Sequence, residues 1–202
     1  MSLANLKEEL ILLNETIYLD SNQFLREKCS DPIKIKQVID KAEALLDRLK
    51  STNSIAKDVE HFLYGTLGNL YRILGEPKIA VTYLTLNLKH SIEEGNHTRE
   101  IISLIRLGEA LKYENKHNDA LEKFNRALTL CIETGTQSCA DFALQHKGKC
   151  LLELKNVDDA IVCFRKALKI RKEKGVGSLI DSTEVALEFA QRLSHRKDIN
   201  SK

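Results

Sequence analysis

The residues best placed for chemistry in this chain of 202 are thiols and an imidazole near position 145. Cys139, His146 and Cys150 are separated by 7 and then 4 positions, which puts them broadly on one side of a helix. Thiolate and imidazole are zinc ligands, and His146 and Cys150, one turn apart, could share an ion. Cys139 lies about 10 Å along the axis from His146 by helical rise, too far for one tetrahedral site. Cys150 also falls in an evenly spaced set with Leu70 and Ala110, which marks a small buried residue. Cys131 and Cys163 sit in apolar patterns, and Cys29 stands apart from the others. No metal ligands, cofactor or catalytic residues are expected. The sequence has no glycine-rich phosphate loop, paired metal-binding histidines or nucleophile elbow, so it reads as no enzyme.

The cations Arg165, Lys166, Lys169, Arg171, Lys172 and Lys174 form the one run suited to phosphates, with Arg165, Lys169 and Lys172 on one helical face. The same run suits an exposed helix end, where cations meet the negative end of the macrodipole. Lys plus Arg is 31 against 29 Asp plus Glu, a net charge of +2, so nucleic acid is not the expected partner. The stretch from His61 to Tyr71, the longest without a charge, is too short to span a membrane. Lys7, Glu8 and Glu9 interrupt any signal-peptide core, and an odd set of five cysteines fits reduced thiols and the cytoplasm.

Those residues need elements to hold them. The chain is 43% hydrophobic but only 5% aromatic, with two prolines and nine glycines, a composition that favours helices over many turn-linked strands. Gly68, Gly108 and Gly148 are spaced by 40, and so are Gly95, Gly135 and Gly175. Ala80, Ala120 and Ala160 keep the same period, as do Leu84, Phe124 and Phe164, and Leu88, Leu128 and Leu168. A fixed period of this size means stacked supersecondary units. Within a period, Leu104, Leu107 and Leu111 make one helical stripe. Ala120, Phe124, Ala127 and Leu128 make a second, with polar residues between them, so each unit is a pair of amphipathic helices.

The expected fold is all-α, a right-handed α-solenoid of antiparallel helix pairs with terminal capping helices. Its repeats span 57–96, 97–136 and 137–176. Residues 1–56 form a degenerate helix pair or cap, 177–195 a C-terminal cap and 196–202 a polar tail. In the N-terminal part, Leu6, Leu10, Leu13 and Ile17 predict a long first helix, and Asp31-Pro32 predicts the start of a second, carrying Ile35, Ile39, Ala42, Leu46 and Leu49. Leu10 to Leu13 are consecutive apolar residues, followed by Ile17, Tyr18 and Leu19, so the first helix has an apolar face to spare and predicts a homodimer.

The ordered set Leu107, Gly108, Leu111, Ala120, Phe124 and Ala127 resembles the tetratricopeptide repeat. The third unit repeats it with Gly148, Leu151, Ala160, Phe164 and Ala167 but has Lys147 at the first position. The first has Leu67, Gly68, Tyr71, Ala80 and Leu84 but Asn87 where alanine is usual. The period of 40 exceeds the family's usual 34, and such long repeats are similar to those of kinesin light chain and of Rap-type peptide-sensing regulators.

The resemblance implies that the first helices of successive repeats line a concave groove for a peptide or protein segment. Carried onto this chain, the groove presents Phe62, Asn69 and Arg72. It continues with Ile102, Ile105, Arg106, Glu109, Lys112 and Tyr113, then Phe142, Gln145, His146, Lys149 and Glu153. Its excess of cations predicts an acidic ligand with apolar anchors. The family's chaperone adaptors hold a C-terminal carboxylate through five polar residues; here those places hold Gly65, Asn69, Arg106, Phe142 and His146, which does not support that role. The resemblance thus implies a non-enzymatic interaction module, or alternatively a peptide-responsive sensor that controls a second protein.

Overall fold

The computed structural model of the protein describes residues 2–52 and 55–200, with side chains through His195. The described residues are almost entirely helical and fall into two compact units, Met1–Asn96 and His97–Lys202.

In the first unit, α1 (Leu3–Asn14) starts at Ser2, whose hydroxyl accepts from the Asn5 amide at 3.2 Å. It buries Leu6 and Leu13 and stops there, and the predicted long helix is not formed. Ile17 lies instead on β1 (Ile17–Asp20), paired antiparallel with β2 (Arg26–Cys29). The local chemistry explains the break. The Asp20 carboxylate accepts from the Asn22 amide at 2.9 Å, opening a turn, and Phe24 and Leu25 take positive φ values of 51° and 62°. The helical spacing of Ile17 was therefore fortuitous, and its β-branched side chain suits the strand.

Helix α2 (Pro32–Ser51) begins where Asp31-Pro32 predicts, with the Asp31 carboxylate accepting from the Lys34 amide at 2.9 Å. Ile35, Ile39, Ala42 and Leu46 are buried against Leu6, Leu13, Leu63, Leu67 and Leu70 in one core. Helices α3 (Lys57–Leu74) and α4 (Pro77–Glu93) complete the unit. Tyr71 and Tyr83 stack at 5.7 Å and both donate to Glu43 Oε1, at 2.7 and 2.8 Å. Burial, reinforced by that carboxylate, pushes the Tyr71 hydroxyl up to about 12.

The second unit holds two further antiparallel pairs, α5 (His97–Tyr113) with α6 (His117–Glu133) and α7 (Ala140–Glu153) with α8 (Val157–Lys174), closed by α9 (Gly177–Asn200). A single 3-10 turn, Gln137–Cys139, leads into α7. The spacing of 40 has a packing cause. Gly108 and Gly148 lie under the buried rings of Phe124 and Phe164, and a Cβ on either glycine would come within 2.6 Å of the ring. Gly108→Ala therefore overpacks the pair by about 1–3 kcal/mol, exceeding the about 1 kcal/mol of helix propensity that alanine returns. A lower urea midpoint is expected for Gly108→Ala and no loss for Gly177→Ala, where a Cβ meets open space. Equal midpoints for the two would refute this packing.

The turn inside each pair follows the same lattice. Gly75, Asn115 and Lys155 all take left-handed backbone conformations, so the third turn carries a lysine at φ 62°, where glycine would be free of strain.

Candidate functional site

The predicted groove residues divide between the two units. In the first unit, the N-terminal segment covers them. Arg72 is buried, and its Nη2 lies 2.5 Å from Glu27 Oε2 on β2 and 2.6 Å from Asn69 Oδ1. Phe62 packs on the unit's core with Lys7 of α1 over its ring at 5.3 Å. The hairpin and α1 thus occupy the place that the sequence assigns to a ligand.

In the second unit the structure brings together Ile102, Ile105, Arg106, Phe142 and His146, which with Cys139 line a cavity of about 310 Å³. Helix α5 supplies 102, 105 and 106, α7 supplies 142 and 146, and the 3-10 turn that leads into α7 supplies 139, each set at the three- and four-residue spacing of one helical face. Cys139 belongs to the second stripe, and that spacing from Phe142 and His146 is the signal that could have assigned it to the site. Gln145 does not reach the cavity; it turns to α9, where Nε2 donates to the Ser182 carbonyl at 3.5 Å.

The remaining predicted residues form a buried charge chain behind His146. His146 Nδ1 lies 2.9 Å from Glu109 Oε1, and Glu109 Oε1 lies 2.9 Å from Lys112 Nζ. Lys112 is 3.9 Å from Glu153 Oε1, and Glu153 Oε2 is 2.7 Å from His117 Nε2. The Lys112 side chain is fully enclosed, Lys149 is buried, and Lys112 also sits over the Tyr113 ring at 5.2 Å. This corrects the expected positive groove. Of Arg72, Arg106, Lys112 and Lys149, only Arg106 is exposed, because Arg72 and Lys112 are spent on carboxylates of the fold.

A second correction concerns the cationic run. Arg171 is buried, with Nε donating to Asp141 Oδ2 at 2.8 Å and Nη1 to Thr183 Oγ1 at 2.7 Å, and Lys174 pairs with Asp141 Oδ1. Arg171 and Lys174 also lie over the Phe142 ring, at 5.1 and 5.6 Å. The exposed face retains Arg165, Lys166, Lys169 and Lys172.

Burial raises the Cys131 thiol to about 11 and also raises Cys163, so neither is a ready thiolate. Among the described residues, no three His, Cys, Asp or Glu side chains come together to hold a metal, and no helix is long and apolar enough to cross a membrane.

Models described as "Tetratricopeptide repeat" match residues 60–133 and 143–174, between them just over half of the chain. The chain belongs to the tetratricopeptide repeat family. Its helix pairs are the repeats of that family, which makes it a protein–protein interaction fold. Among solved structures it is similar to the apo form of RapI, with a TM-score of 0.64 and 16% identity over 84% of this chain and 60% of that one. It is also similar to the tetratricopeptide-like repeats of a putative kinesin light chain from Podosopora anserina, with a TM-score of 0.64 and 10% identity over 96% and 89%. A third similarity is to the Rap conjugation gene regulator of plasmid pLS20 in complex with the Phr* peptide, with a TM-score of 0.61 and 15% identity over 81% and 50%. These likenesses share the fold, and this chain spans only about 60% of RapI's length. No curated protein matches the chain.

Proposed function

We propose that the protein is a non-enzymatic cytoplasmic interaction module whose second unit binds a peptide or protein segment in the cavity between α5 and α7. The observation that carries this reading is the cavity itself. Ile102, Ile105 and Phe142 give it apolar walls for an anchor side chain, and Arg106 stands exposed at its lining. A single acidic group beside the anchor suits that arrangement better than an acidic stretch, since Lys112 and Lys149 are buried. The five free cysteines support a reducing compartment.

The test selects binders from a displayed library of random peptides on the whole protein and titrates a selected peptide by fluorescence anisotropy. Phe142→Asp should weaken binding by about tenfold or more, because it places a charge in the apolar wall. Arg106→Glu should cost less, and only for peptides carrying an acid. Selected peptides held equally by the wild type and Phe142→Asp would overturn the assignment, as would a library that yields no binder.

A sensor is the second reading, favoured by the likeness to a Rap regulator solved with its peptide. A sensor must bind its peptide with different affinity in two conformations, so the selected peptide would change the X-ray scattering radius, whereas a static adaptor would leave it unchanged.

A further inference from the structure

Two helices, one in each unit, expose stripes with the same spacing and opposite charge. On α1, Glu8, Ile11 and Glu15 follow at three and four residues; all three are exposed, Ile11 at 67%, and Glu15 caps the helix end. On α8, Arg165, Leu168 and Lys172 follow at the same three and four residues, with both cations exposed and Leu168 half-buried. Seven residues of helix separate the charges in each stripe, about 10 Å in both cases, so the two sets of charges are in register. Lys169 and Glu173 flank Leu168 on the same open face of α8.

Neither stripe is neutralised at home. Glu8, Glu15 and Arg165 have no ion-pair partner among the described residues, and Lys172 has only an exposed pair with Glu184 at 3.0 Å. Like charges on one helical face oppose each other weakly, so an opposite-charge partner relieves both stripes at once.

We propose that α1 of one copy docks on α8 of a second copy, with Ile11 against Leu168 and Glu8 and Glu15 against Arg165 and Lys172. The contact is head to tail. It differs from the symmetric homodimer that an apolar first helix alone predicts, because pairing α1 with α1 brings Glu8 and Glu15 against carboxylates of the same stripe. Each copy carries one α1 and one α8, so association by this contact rises with concentration. The charges are solvated, which makes the association sensitive to salt.

Sedimentation velocity on the whole protein, over a concentration series at low and high salt, tests this. The weight-average mass should climb above 22.9 kDa with concentration and fall back as salt is added. Glu8→Lys with Glu15→Lys, or Arg165→Glu with Lys172→Glu, should each weaken association about tenfold, since two attractive pairs become repulsive. All four positions are exposed, and circular dichroism checks that the variants remain helical. An equimolar mixture of the two variants restores complementary pairs in both directions and should recover the wild-type mass. A single 22.9 kDa species at every concentration would overturn the proposal. So would association that survives either reversal, or a mixture that fails to recover it.

Discussion

Asp141→Ala is expected to destabilise the protein by about 3–5 kcal/mol, because it strands a buried guanidinium. Asp141 is fully enclosed and holds both Arg171 and Lys174, and Arg171 in turn ties α8 to Thr183 and the Leu179 carbonyl of α9. The lattice supplies the control. The positions 40 residues earlier, Ile101 and Cys131, are both fully buried, and those earlier still, His61 and Ser91, bond through Nε2 and Oγ at 3.0 Å. One structural place is thus filled by a hydrogen-bonded pair, an apolar pair and an ion pair in turn. The double variant Asp141→Ile, Arg171→Cys transplants the middle solution, and replacing both members of a buried ion pair by apolar groups often restores stability. Urea denaturation should show a large loss for Asp141→Ala and recovery of most of it in the double variant. A double variant no more stable than the single one would mean that the charge pair itself holds α7 to α8.

Lys112→Met should cost a similar about 3–5 kcal/mol, for the opposite reason. Its ammonium lies 2.9 Å from Glu109 Oε1 and 3.9 Å from Glu153 Oε1, and removing it takes that cation away from two buried carboxylates. The consequence extends to the cavity, since Glu109 also contacts His146, and a Glu109 side chain released from Lys112 no longer fixes that imidazole. A lower thermal midpoint and a changed His146 ring resonance are expected. Unchanged values of both would show that Lys112 is not part of a structural chain behind the cavity.

The parts legible in the sequence were those set by repetition. Gly108 and Gly148 could be read because the ring each one accommodates sits sixteen residues on in both repeats, and Asp31-Pro32 because capping is local chemistry. The hairpin was hidden because Leu10, Leu13 and Ile17 keep a helical rhythm straight through the break. The Asx turn at Asp20 and Asn22 was the local sign against it. In the candidate site, the identity of each side chain was legible but its partner was not. Arg72, Lys112 and Arg171 count as surface cations by residue type, yet each answers a carboxylate distant in sequence, at Glu27, Glu153 and Asp141. Cys139 was weighed with His146 only as a metal ligand and left out of the groove, because its spacing of three from Phe142, which sets it in the same lining, was not used.

The central claim is that the α5–α7 cavity takes a partner's side chain, and chemical-shift mapping on the whole protein with isoleucine methyl labels tests it most directly. Titrating a library-selected peptide should move the Ile102 and Ile105 methyl resonances first, with Phe142→Asp abolishing those shifts. Shifts confined to Ile33 and Ile79, which border a separate cleft in the first unit, with Ile102 and Ile105 unmoved, would contradict it.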